Sequence, residues 1–230
     1  MSSIRIKKYS SLAKITKLVI FVIVVEILVE LIVIMSDYSE ISLINSVLNN
    51  ELEYSEELSQ IEINDTRVSI ISAVEFPILI LTSALFLYWF YRAYRNLAHL
   101  GALGLEFNAK WVVAYFFIPV LCLWKPYEAL KEIWKVSDPS SPSEGYSWRS
   151  VKVSGILIFW WITFVLSNIM GTFFLTGSLN AESMDDWIKF DMQDIALSIA
   201  IIIPDTLQIY IIMKINSRQE MKNSNLGVLA

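Results

Sequence analysis

Four carboxylates stand inside stretches otherwise suited to hydrocarbon. Glu26 and Glu30 interrupt the apolar run Leu18 to Met35, Glu75 lies in Val68 to Tyr91, and Asp205 sits at the middle of Ile195 to Met213. Glu26 and Glu30 are four residues apart and therefore share a helix face. A charge at mid-bilayer costs about 2.5–3.5 kcal/mol on insertion scales, so such groups face a bundle interior or water. Acids placed there without an intramembrane Lys or Arg can hold protons or a cation. Two plainer roles compete: protonated structural hydrogen-bond donors, and, for Glu75, a seat at the interface. Matching depths along the runs puts Glu26 and Asp205 near the midplane, with Glu30 and Glu75 toward the outer side. We therefore expect Glu26 and Asp205 to approach each other in the bundle.

A second group lies on the basic side. Arg92, Arg95 and Asn96 follow the second apolar run, and Lys125 opens a later segment. Guanidinium groups in this position can contact lipid phosphate or an acidic group of a partner. They serve equally as a positive anchor at the inner membrane face. Cys122 and His99 are the sole residues of their kinds. That excludes a disulfide framework, a cysteine metal cluster and most zinc sites, and leaves no histidine to spare for a nucleophile–base site. The metal question otherwise stays open. No phosphate loop, dinucleotide fingerprint, metalloprotease motif or basic nucleic-acid stripe is present. We expect no catalytic residues, no cofactor and no nucleic-acid partner.

The elements that must position these groups follow from composition. The chain has 230 residues, 55% hydrophobic and 18% charged, with a mean hydropathy of +0.53. A soluble domain carries about 25% charged residues. Each of the runs Leu18–Met35, Val68–Tyr91, Val153–Leu175 and Ile195–Met213 approaches the roughly 20 residues that cross the hydrocarbon core. The basic lead before the first run resembles a signal peptide, but the run is long and no small-x-small cleavage site follows, so it reads as an uncleaved anchor. Trp111 to Trp124 is apolar, too short for a comfortable span and interrupted by Pro119; it reads as re-entrant or in-plane. Pro126 suits a first helical turn, and Tyr127, Leu130, Ile133 and Trp134 then share a face that Lys131, Glu132 and Lys135 do not, as in an interfacial amphipathic helix. Trp89, Trp111, Trp124, Trp134 and Trp148 read as an aromatic belt at the inner boundary.

The fold class expected is an all-α integral membrane protein of four transmembrane helices, a short re-entrant or in-plane segment and an interfacial amphipathic helix. Residues 1–66 form an N-terminal anchor helix and acidic extracytoplasmic loop, 67–216 a membrane domain with a cytoplasmic-face module, and 217–230 a polar cytoplasmic tail. In the acidic stretch Ser36 to Thr66, Ile41, Ile44, Leu48 and Leu52 recur at helical spacing, so its first half reads as an amphipathic helix at the membrane surface or a continuation of the first span. Of the 18 Lys and Arg, all but Arg67 and Lys189 fall on one side of these runs. That asymmetry places both termini and the central module in the cytoplasm.

The central module carries, in order, Trp89-Phe90-Tyr91-Arg92, Arg95-Asn96-Leu97, Leu100-Gly101, Trp111, Phe117-Ile118-Pro119, Leu123-Trp124-Lys125-Pro126-Tyr127, Glu132-Ile133-Trp134 and Trp160-Trp161. In these pieces and their order it resembles the bacterial membrane family of domain of unknown function 4328. The resemblance covers roughly residues 86–212 and implies a bacterial inner-membrane protein without adding a reaction. The function expected is that of a non-enzymatic scaffold, sensor or accessory subunit presenting a basic, Trp-rich module. The alternative is a small proton- or cation-coupled transporter or conduit using Glu26, Glu30, Glu75 and Asp205. The partners are the lipid bilayer and a membrane protein or second copy.

Overall fold

The computed structural model describes residues 9–51, 53–141, 145–178 and 183–229. The basic residues Arg5, Lys7 and Lys8, and Glu182 of the second acidic stretch, lie outside them. The chain is helical throughout, with no strand among the described residues: α1 Ala13–Leu48, α2 Tyr54–Arg95, α3 Trp111–Ala114, α4 Lys125–Ser137, α5 Gly155–Ser178 and α6 Met184–Leu229. Helices α1, α2, α5 and α6 are long and apolar enough to cross a membrane. Pro77 and Pro204 lie inside α2 and α6 without ending them; packed neighbours can compensate the backbone groups that Pro frees.

Three of these helices outrun their apolar cores. With 36, 42 and 46 residues, α1, α2 and α6 measure about 54, 63 and 69 Å at 1.5 Å per residue, against about 30 Å of hydrocarbon. The acidic stretch after Met35 continues α1 to Leu48 and resumes as the start of α2. The acidic stretch before Ile195 is helical from Met184. The stretch read as a polar tail from 217 continues α6 and is packed: Gln219 is fully buried and Lys222 is 2% exposed. Helix α2 ends in a 3-10 turn over Asn96–Ala98, followed by Gly101 and Gly104, both at positive φ. At Gly104 a Cβ would lie 2.2 Å from Tyr146 Cε1, so a side chain is excluded there on space as well as on backbone geometry. The stretch from Trp111 to Trp124 holds α3 and a 3-10 turn at Leu121–Leu123 in place of a long helix.

The chain divides into two compact units. The first, here the aromatic unit, takes residues 1–21, 82–161 and 207–230. Its core contains Trp89, Phe90, Leu97, Leu130, Ile133, Trp160 and Ile212. Phe86 lies 6.1 Å from both Phe116 and Trp160, and Trp160 lies 5.6 Å from Trp161. Buried indoles need a partner for their N–H: Trp89 donates to Thr16 Oγ1 at 3.0 Å, Trp148 to the Leu103 carbonyl at 2.9 Å and Trp161 to the Leu123 carbonyl at 2.8 Å. Of the five Trp read as a belt, Trp89, Trp134 and Trp148 are core, while Trp111 and Trp124 are exposed. The second, the acidic unit, takes residues 22–81 and 162–206 and contains the membrane carboxylates.

Candidate functional site

In the acidic unit two helices carry polar stripes that interleave. On α1, Glu26, Glu30, Asp37 and Glu40 follow at intervals of four, seven and three residues, which keeps them on one face. On α6, Asp191, Asp194, Ser198 and Asp205 do the same. The stripes run antiparallel. Asp205 lies within electrostatic reach of Glu26 and Glu30. Ser198 hydrogen-bonds Glu30, which also feels Asp194 and Glu75. Asp37 faces Asp191 and Asp194, and Asp191 faces Glu40. The structure thus brings together Glu26, Glu30 and Asp205, with Glu75 of α2 beside Glu30. It adds Asp37 and Glu40, in a stretch whose helical spacing reads as an amphipathic helix or a continuation of the first span, and Asp191 and Asp194, which the sequence reads as part of an acidic loop. Glu26, Glu30, Asp37 and Asp191 are all buried. Among the described residues, Glu30, Asp37, Asp191, Asp194 and Asp205 enter no ion pair. Nor do three His, Cys, Asp or Glu side chains converge there as metal ligands.

One cation faces the outer end of this row. Arg67 donates from Nε to Ser36 Oγ at 3.1 Å, from Nη1 to Ser39 Oγ at 2.9 Å, and from Nη2 to the Ser36 carbonyl at 3.0 Å and Asn64 Oδ1 at 2.5 Å. It acts electrostatically on Glu40 and Asp191. A cleft of about 460 Å³ opens beside it, lined by Tyr38, Ser39, Ser42, Gln60, Asn64 and Arg67 among others.

The basic candidates of the aromatic unit serve a polar knot. Asn96, 2% exposed, donates from Nδ2 to the Ser10 carbonyl at 2.9 Å and to Gln219 Oε1 at 3.0 Å, while its Oδ1 accepts the Ser10 N–H at 3.2 Å. Gln219 Nε2 donates to the Ala93 carbonyl at 3.0 Å and to Ser137 Oγ at 3.1 Å. Arg92 donates to Ser10 Oγ and to the Ser11 carbonyl. On α6, Glu220 accepts from Ser11 Oγ at 2.6 Å and Lys222 donates to the Val136 carbonyl at 2.7 Å. Four chain segments therefore meet at one buried amide pair. Lys125 is held apart from the knot by Glu128 at 2.7 Å and by the Phe107 ring. Arg95 lies over the Tyr91 ring of its own helix. Arg92 and Asn96, offered by the sequence as lipid or partner contacts, are occupied by the N-terminal segment and α6.

The aromatic unit also buries one carboxyl that the sequence placed on the outer side of α4. Glu132 is 6% exposed. Its Oε1 accepts the Glu106 N–H at 3.0 Å and its Oε2 contacts the Tyr94 hydroxyl. Tyr94 also accepts the Phe107 N–H at 3.1 Å and faces the Phe107 carbonyl at 3.2 Å. A phenol has one hydrogen, and here two acceptors compete for it. A proton on Glu132 settles the count: Glu132 then donates to Tyr94, and Tyr94 donates to Phe107. Burial pushes the Glu132 pKa up, against the hydrogen bonds from Tyr94 and Glu106.

Taken together, this is an all-helical protein with four membrane-capable helices and two polar sites of different construction. Residues 53–217 match the family described as Domain of unknown function (DUF4328), well over half of the chain, and the chain belongs to that family. The match starts earlier than the resemblance read from motifs and includes α2 whole; Ser10 and Gln219, the partners of Asn96, fall outside it. No curated protein and no solved structure matches the chain.

Proposed function

We propose that this chain is a multi-pass membrane protein whose acidic unit holds and passes protons or cations. The observation that carries the proposal is the antiparallel row of carboxyls on α1 and α6, joined by Glu75, in which Glu30, Asp37 and Asp191 are buried and enter no ion pair among the described residues. Buried acids without a counter-ion are expensive inside a membrane and mark ion or proton pathways. The basic asymmetry orients the chain with both termini and Lys131 in the cytoplasm and Glu53 and Asp185 outside. On this topology Trp111–Trp124 dips and returns, because a full crossing would carry Lys125, Lys131, Lys135, Arg149 and Lys152 outward. Helix α4 lies along the inner face. Labelling of a cysteine at position 131 from outside intact cells, in a Cys122-free background, would overturn that orientation. Flux into liposomes tests the function: proton- or sodium-linked flux is expected from the intact chain and not from Asp205→Asn. Equal flux from both contradicts the proposal.

A second reading rests on the polar knot. The aromatic unit is a non-enzymatic platform, a scaffold, sensor or accessory surface on the cytoplasmic face, with Arg95 and Lys131 turned toward headgroups or a membrane-protein partner. What favours it is the joining of the N-terminal segment, α2, α4 and α6 at Asn96 and Gln219, which keeps the unit rigid whatever the acidic unit does. Flux that survives every carboxyl substitution would leave this reading in place.

A further inference from the structure

The sequence drew attention to the carboxyls near the midplane; the structure extends them outward. We propose that Asp37 and Asp191, with Asp194 and Glu40 around them, form a proton-binding site at the outer end of the row, through which protons reach Glu30, Glu26 and Asp205, and that Arg67 controls its occupancy. This rests on the reading of the acidic unit as a proton or cation site, and it specifies the proton.

Three observations carry it. The first is register. Reach passes stepwise from Asp191 to Asp37, from Asp194 and Glu75 to Glu30, and from Glu30 and Glu26 to Asp205, so no acid in the series stands alone. The second is an unmet acceptor. Asp37 is 8% exposed and Asp191 4%, yet Oδ2 of each has no hydrogen-bond partner. Buried polar atoms are nearly always paired. A carboxylate oxygen left open in that setting calls for a donor, and a proton on one of two facing carboxyls supplies it to the other. Among the described residues no three His, Cys, Asp or Glu side chains are placed to hold a metal ion together.

The third is access. The cleft beside Arg67 shares Ser39 and Asn64 with the guanidinium's own hydrogen bonds, so it opens onto the cation that acts on Glu40 and Asp191. The charged and titratable groups facing the site are Glu30, Asp37 and Glu40 from α1, Asp65, Arg67 and Glu75 from α2, and Asp191 and Asp194 from α6. Helix α5 has no charged residue. Among the described residues, Arg67 is the positive charge that acts on Glu40 and Asp191. It favours the ionised form of Glu40 and Asp191, which keeps the entrance ready to accept a proton.

Infrared difference spectroscopy of the full chain in lipid nanodiscs, between alkaline and acid buffer, tests this. The carbonyl band of protonated carboxyls should grow on acidification, lose a component in Asp37→Asn and another in Asp191→Asn, and ignore added sodium or calcium chloride. Arg67→Gln should move its midpoint to higher pH. Asparagine keeps the shape of aspartate, and an unchanged thermal melt certifies each variant as folded. A band identical in wild type, Asp37→Asn and Asp191→Asn overturns the outer site, as does a band abolished by calcium. If Asp205→Asn alone stops flux while both outer variants keep band and flux, the inner reading stands and this extension falls.

Discussion

Two buried carboxyl environments sit in this chain, and they are built differently. In the aromatic unit Glu132 has both oxygens engaged, by the Glu106 N–H and the Tyr94 hydroxyl. In the acidic unit Asp37, Asp191 and Asp205 each leave an oxygen without a partner, although their neighbours are carboxyls. A fully bonded buried acid contributes to folding, since removing it strands donors that have nowhere else to turn. An acid left open among other acids contributes little to folding and keeps capacity for a ligand. Burial alone therefore does not distinguish the two carboxyl environments; hydrogen-bond completeness does.

The largest effect that would sharpen this contrast is expected from Glu132→Ala. It strands the Glu106 N–H and leaves a hole between α2 and α4, at a cost of about 3 kcal/mol. Thermal unfolding in detergent should show it, and a melt like that of the wild type would break the contrast. Next comes Asn96→Leu, which strands Gln219 Oε1 and both backbone groups of Ser10. Each group costs about 1–3 kcal/mol if it stays buried, less where the N-terminal segment detaches and meets water. Protease sensitivity near Ser10 should rise in parallel with the loss of stability.

A smaller effect lies in pH dependence, with opposite signs at two sites of the same unit. The folded pKa of Glu132 is raised, chiefly by burial. Its contribution is complete below the unfolded carboxyl range and is lost as pH rises through the folded value. The folded pKa of Asp138 is lowered: burial works against this, but the Ser140 hydrogen bonds and Arg218, 3.1 Å away, outweigh it. Its contribution is present above the unfolded Asp value and is lost as pH falls. Glu132→Gln should flatten the alkaline side of the stability profile and Asp138→Asn the acid side. The same slope changed by both variants would contradict the assignment.

Much of this architecture is legible in the residues. The four apolar runs are helical where spacing put them, and Pro126 lies in the first turn of α4. The helix ends are not legible from hydropathy, because Glu, Gln and Ser prolong a helix without making it apolar. Nothing after Met35 breaks α1 until Asn49-Asn50, where Asn50 takes positive φ. Isoleucines 211, 212 and 215 continue to Gln219 and Lys222 at helical spacing, but polar composition hid that face; the two long side chains are buried because backbone carbonyls and Asn96 receive them. The step of seven from Glu30 to Asp37, and the α6 series from Asp191 to Asp205, were available as a signal. Reading Asp191 and Asp194 as part of a loop concealed the α6 half of it. The Tyr94–Glu132 contact joins residues 38 apart in sequence, a pairing that no local pattern encodes. Helical spacing places Glu132 opposite the apolar face of α4, and only the loop holding Glu106 and Phe107 encloses it.

The most direct test of the contrast is a count of protons taken up on acidification by the full chain in nanodiscs, read with a pH-indicator dye. Wild type, Glu132→Gln and Glu132→Ala are compared with Glu26→Gln, Asp37→Asn, Asp191→Asn and Asp205→Asn. The account predicts that each acidic-unit variant takes up fewer protons while its melting temperature stays close to wild type, since a neutral amide replaces an acid that folding does not need. Glu132→Gln keeps both hydrogen bonds of a neutral carboxyl and should fold like wild type, whereas Glu132→Ala, which strands the Glu106 N–H, should lower stability more than any of them. Proton uptake unchanged across the four acidic-unit variants, or their collapse to unfolded protein, would contradict it.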